Sequence, residues 1–113
     1  MGNDDAIFDL KKALEQVGGD RELLKEIIGI YCEEYPKQLL QIQQAIGKND
    51  NATVGKVAHT VKGAVGNFGA KSAFEAALCL EKIGKSGEPS KALSAFGALK
   101  EKLEQLEQKL KKT

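Results

Sequence analysis

At 113 residues the chain is long enough to bury roughly 60 to 70% of its unfolded surface around one core, without disulfide or metal staples. Its 17 basic and 16 acidic side chains nearly cancel, Arg21 is its one arginine, and aromatics make up 5% of residues, which argues against a nucleic-acid binder. Cys32 and Cys79 stand alone in apolar stretches, no apolar run approaches the ~18 residues of a membrane span, and the polar start MGNDDA lacks a signal peptide's pattern. One soluble, cytoplasmic domain over residues 1–113 is therefore expected, with both thiols reduced and half-buried.

Helix formers dominate and the prolines are Pro36 and Pro89, so the chain reads as all-α. A short first helix is predicted from about Asp5 to Val17, with Ile7, Leu10, Ala13, Leu14 and Val17 on one side and Gly18-Gly19 ending it. Asp20 caps a second helix to about Ile46, whose Leu23, Ile27, Tyr31, Tyr35, Leu39, Ile42 and Ile46 recur at steps of three and four. Pro36 lies inside it and predicts a kink or break near Tyr35. Asn49-Asp50-Asn51 opens a third helix, from about Ala52 to Phe68, that closes at Gly69.

Ser72 and Glu75 form a capping-box pattern ahead of a fourth helix carrying Ala76, Ala77, Leu80 and Ile83, which runs toward Gly84 and Gly87. Phe74 and Leu78 widen its apolar side. Ser90 can cap a fifth helix, whose Ala92, Phe96, Leu99, Leu103, Leu106 and Leu110 alternate at four and three. The architecture these elements predict is an up-and-down antiparallel four-helix bundle with a short extra N-terminal helix. The last seam could instead pair two copies as a coiled coil, but it covers fewer than three heptads, and a monomer is expected.

The third helix carries the chain's single histidine. At 100° per residue, Val54, Ala58, Val61, Val65 and Phe68 form its core stripe, and His59 points about 140° away from the centre of that stripe. Around His59 lie Ala52, Gly55, Lys56, Lys62, Gly63 and Gly66, so most of its surroundings bear little side chain. Each glycine within a helix costs about 1 kcal/mol relative to alanine, or roughly 3 kcal/mol for the three. Close packing against another helix would explain bare backbone on the core side. On the histidine side, a broad partner surface approaching the imidazole explains it better, with Gly55, Lys56 and Gly66 as the docking face.

An exposed imidazole is in good part neutral near pH 7 and keeps a lone pair that can attack phosphorus, while Lys62, one turn on, can offset the charge that arrives. That combination suits a phosphoryl carrier. The segment from Ala58 to Ala70, with His59, Lys62 three residues on, Gly63 four on and the Gly69-Ala70 helix end, resembles the signature of histidine phosphotransfer (HPt) domains. Closest in character are those at the C-terminal ends of bacterial hybrid sensor kinases. The resemblance implies that His59 accepts a phosphoryl group from a receiver domain's aspartyl phosphate and passes it to another receiver. It assigns Lys62 to steady the group and Gly63 to leave it room; Gly55 and Gly66 carry no such assignment.

No glycine-rich nucleotide loop is present, so the chain should not use ATP by itself. The resemblance places Mg²⁺ on the receiver, so no cofactor or metal of this chain's own is expected, and its composition and lack of an apolar span predict no nucleic-acid or membrane contact. Two other readings stay open: a helical adaptor or coiled-coil module in which His59 is incidental, and the phosphoacceptor domain of a chemotaxis-type kinase.

Overall fold

The structure, a computed structural model, describes residues 7–113, and for Pro89 the backbone alone. Among the described residues five helices follow one another from Leu10 on: α1 (Leu10–Gln16), α2 (Arg21–Gly47), α3 (Asn51–Gly66), α4 (Lys71–Ser86) and α5 (Pro89–Lys111). No strand occurs among the described residues. Helices α2 to α5 pack in a ring, each against the next and α5 back against α2, with α1 resting on α2. Neighbours run in opposite directions. Gly55 meets Gly84 and Gly66 meets Phe74 across α3 and α4, while Gln43 and Tyr35 of α2 flank a groove with Phe96 and Glu104 of α5. This is the expected antiparallel four-helix bundle with a short helix in front.

Local chemistry sets the helix ends. Asp20 and Asp50 each accept from the backbone N–H three residues on, at 3.1 Å, and so start α2 and α3. Asp9 does the same for Lys12, so α1 begins at Leu10 instead of near Asp5, whose position lies outside the described residues. Phe8 and Asp9 are non-helical, and the Asp9 N–H donates to the Phe68 carbonyl at 3.1 Å, which holds this entry segment on the corner after α3. Gly69 makes that corner possible. Its φ is +62°, and a Cβ there would sit 2.8 Å from the Cβ of Asp9.

Two caps differ from the sequence expectation. Helix α4 starts at Lys71, behind Ala70, with no side-chain cap, so Ser72 lies inside the first turn. Helix α5 starts at Pro89, whose fixed φ and missing N–H suit the first helical position, and Ser90 is therefore not the cap. The break expected near Tyr35 is also absent: α2 is helical from Arg21 to Gly47 through Pro36. Its burial near the start is shifted by one residue, with Leu24 buried and Leu23 exposed.

The core contains the stripes read from the sequence of α3 and α5: Val54, Ala58, Val61, Val65 and Phe68 from the one, Ala92, Phe96, Leu99, Leu103, Leu106 and Leu110 from the other. The leucine seam is thus spent inside the bundle. Tyr31 stacks on Tyr35 with ring centres 4.9 Å apart and meets Phe68 edge-on at 5.5 Å. Its hydroxyl donates to the Leu103 carbonyl at 3.0 Å, and the Tyr35 hydroxyl donates to the Glu107 carboxylate, so two phenols tie α2 to α5. Cys32 is half-buried, but Cys79 is exposed, contrary to expectation, because it falls on the outer side of α4. Among the described residues no helix is long and apolar enough to cross a membrane.

Tyr31→Phe keeps the ring packing and removes the bond to Leu103. We expect it to lower stability by about 1 kcal/mol, read as a shifted urea midpoint with an unchanged slope. An unchanged midpoint would mean that this bond contributes nothing.

Candidate functional site

Helix α3 presents His59 at its middle, on the side away from the buried stripe, with 66% of the side chain exposed. The ring is nevertheless anchored. Its Nδ1 lies 2.9 Å from Oε2 of Glu81, a residue of α4 whose side chain is only 5% exposed. Lys62 Nζ approaches Oε1 of the same carboxylate at 2.8 Å, and Lys85 Nζ approaches Oε2 at 3.2 Å. One buried acid therefore holds a histidine and two lysines drawn from two helices.

The electrostatics follow from this pairing. Burial alone would push the Glu81 carboxyl up, but chiefly the Lys62 ammonium, helped by Lys85 and the His59 ring, holds it down at about 2. Glu81 is thus ionised near neutral pH and can only accept hydrogen bonds. The proton in the His59 contact must then sit on Nδ1. In the neutral ring this leaves the lone pair on Nε2, the nitrogen turned away from Glu81.

Lys62 is not the freely exposed cation that the helical wheel suggested. Its side chain is 20% exposed, bound to Glu81, with the ammonium 5.9 Å from the centre of the Phe74 ring. Lys56 and Lys85 are exposed and flank a shallow groove beside His59, lined also by Asn51, Ala52, Thr60 and Gly84.

The three glycines of α3 part company. Gly63 is open, since a Cβ there would meet nothing within 4 Å. Gly66 is partly covered by Phe74, whose ring would lie 3.7 Å from such a Cβ. Gly55 is buried, which corrects its placement on an open docking face: α4 lies directly over it, and a Cβ on Gly84 would come within 2.6 Å of the Gly55 nitrogen. Gly55 therefore lies under α4, where a Cβ of its own would meet ordinary contacts from 3.5 Å outward, and the clearance explanation remains available for Gly63.

The sequence reading missed Glu81 and Gly84. A signal existed in the periodicity of α4, where Ala73, Ala77, Leu80 and Gly84 are buried and Glu81 falls four residues after Ala77 and three before Gly84. An acid within an apolar stripe needs partners, and the hydrogen-bond donors at that level on the neighbouring helix are His59 and Lys62.

The two glycine environments predict opposite signs. Gly63→Ala should stabilise by about 0.5 to 1 kcal/mol through helix propensity, and Gly84→Ala should destabilise by about 1 to 3 kcal/mol because its methyl meets backbone. Thermal melts of the two variants check this, and equal shifts would contradict the packing described. A pH prediction follows from Glu81. Above its ordinary 4.5 the acid is ionised whether folded or unfolded, and its contribution is complete. As pH falls from there toward 2, the unfolded chain takes up the proton first and the contribution is lost. Wild-type stability should therefore decline more steeply over that window than that of Glu81→Gln, and parallel declines would refute the ion-pair network.

Residues 26–109 match the family described as Hpt domain. The crystal structure of the HPT domain from a Shewanella Hpt sensor hybrid histidine kinase superposes with a TM-score of 0.80 and 23% sequence identity, over 96% of this chain and 93% of that one. At that identity the likeness speaks for the fold. No curated protein matches the chain. The family match covers most of the chain, including the whole of α3 and α4 and hence the histidine, its lysine and their shared acid. The chain belongs to the Hpt domain family and has a histidine phosphotransfer role in phosphorelay.

Proposed function

We propose that His59 is the phosphoacceptor, receiving a phosphoryl group from the aspartyl phosphate of one receiver domain and delivering it to another. The observation that carries this reading is the imidazole itself, with two thirds of its side chain exposed and its Nδ1 fixed by a buried, ionised carboxylate. The Nε2 lone pair attacks phosphorus as the bond from phosphorus to the aspartyl oxygen breaks, and the receiver's carboxylate leaves with that bonding pair. Positive charge develops on the ring, and Glu81, 2.9 Å from Nδ1, is placed to offset it. Return transfer follows the same path in reverse.

Lys62 serves twice in this scheme. It keeps Glu81 ionised, and it sets a positive charge one turn from the acceptor nitrogen. Gly63 leaves open surface where the receiver must come within bonding distance. Helix α3 itself bears Lys56 and Lys62 and no acid, which suits a partner with an acidic active site. In this reading the domain acts as a cytoplasmic monomer without a metal of its own, and Mg²⁺ sits on the receiver.

Incubation with a phosphorylated receiver should label the protein with acid-labile, base-stable phosphate, and ATP alone should not. His59→Gln should abolish labelling in a protein that still folds, with stability lowered by about 1 kcal/mol where the bond to Glu81 is lost. Lys62→Ala should slow transfer by roughly ten- to a hundredfold. Gly63→Gln should fold normally and transfer slowly, because its side chain covers the approach. Undiminished labelling of His59→Gln would end this reading in favour of another acceptor.

A further inference from the structure

Two cations compete for Glu81, and they are held very differently. Lys62 makes the shorter contact, 2.8 Å, from a side chain that is 20% exposed and lies along the Phe74 ring. Lys85 makes the longer one, 3.2 Å, from a side chain that is 73% exposed. The oxygen it contacts is Oε2, the one that also accepts from His59 Nδ1. Lys85 thus stands beside the imidazole, bridged to it by a single atom, on the side of the groove it shares with Lys56 and Thr60.

Charge makes this arrangement consequential. At rest the neutral ring, Glu81, Lys62 and Lys85 sum to one positive charge. A phosphoryl group brings about −1.5 to −2. Lys62 alone is already neutralised by Glu81, so without a second cation the phosphorylated site would carry nearly the full negative charge of the group. Releasing Lys62 would uncover a buried carboxylate, which is costly. Releasing Lys85 leaves Glu81 with Lys62 and His59 still in place, and only an exposed, flexible side chain has to move.

We propose that Lys85 is a second phosphoryl-binding residue, which leaves Glu81 for the phosphoryl oxygens once His59 is modified while Lys62 stays behind to hold the carboxylate. This rests on His59 being the acceptor, and it divides between two helices a task that the sequence signature gives to Lys62. At rest Lys85 supports the ion pair. After transfer it is the cation that contacts the group.

The test uses phosphoramidate, a small donor that phosphorylates histidine with loss of ammonia, so that no receiver contact enters the measurement. The wild-type protein, Lys85→Met and Lys85→Arg are labelled at low ionic strength, and the ³¹P resonance of the phosphohistidine is followed against pH. In Lys85→Met, which keeps the stem and loses the charge, the phosphoryl titration midpoint should rise by roughly 0.3 to 0.7 pH, a two- to fivefold weaker hold on the dianion. Lys85→Arg should restore the wild-type midpoint, and raising the salt should shrink the difference. A merely structural lysine would leave the midpoint where it was. Identical midpoints for wild type and Lys85→Met, or an Arg variant as shifted as the Met variant, would overturn the assignment of Lys85. Failure of phosphoramidate to label His59 in the wild-type protein would instead overturn the acceptor reading on which it rests.

Discussion

A carboxylate buried as deeply as Glu81 survives in a folded protein only if cations come with it, and here they come from both helices that line the site. That requirement orders much else in this half of the bundle. Helix α3 must sit close enough to α4 for His59 and Lys62 to reach across, and the Gly55 and Gly84 backbones, touching without side chains between them, permit that spacing. At Gly84 the helix-propensity cost of glycine is offset by an approach that a Cβ would block, at 2.6 Å from the Gly55 nitrogen, whereas a Cβ on Gly55 would meet ordinary contacts from 3.5 Å outward. Glycine in α3 therefore has two distinct settings. Gly55 lies beneath the neighbouring helix, against Gly84, and Gly63 leaves the surface clear.

The other half of the ring is built differently. Helices α2 and α5 meet through leucines and through two stacked tyrosines whose hydroxyls end on Leu103 and Glu107. Tyr31 also touches Phe68, at the corner where α3 turns toward α4. Phe68 in turn receives Asp9 on its carbonyl and Phe8 against its ring, at 6.5 Å between centres. The short leading segment thus clasps the end of the helix that carries the histidine. Helix α3 is placed by this aromatic knot at one end and by the glycine crossing toward the other.

The fold was legible in the sequence wherever apolar periodicity was strong. The stripes of α3 and α5 were read residue for residue, because a helix with one buried face leaves an unambiguous pattern. Helix ends were read less well, since Ser72 and Ser90 are good caps in isolation, yet the turns at Gly69 and Gly87 bring the chain into α4 and α5 at Lys71 and Pro89. Pro36 does not break α2, because propensity is local, while the helix continues through that position with Tyr31, Tyr35 and Leu39 buried on its inner side. In the site, the wheel of α3 placed His59 and Gly63 on open surface but could not show what lies across from them. Glu81, Gly84 and Lys85 belong to another helix, 22 or more residues beyond His59, and single-helix geometry cannot distinguish Gly55, which is covered, from Gly63, which is not.

A carrier differs from an enzyme that ends with its product in one physical respect: it must release the group about as easily as it takes it. A site with free cations around the imidazole would bind phosphoryl strongly and surrender it slowly. In this bundle the nearest cations are already paired with Glu81, so the phosphoryl group gains only the difference between two ion pairs when it competes for them. Exposure of the ring to water weakens that gain further. The buried acid thus does more than orient His59. By occupying the lysines beforehand, it keeps the hold on the phosphoryl group shallow enough for transfer to run in either direction.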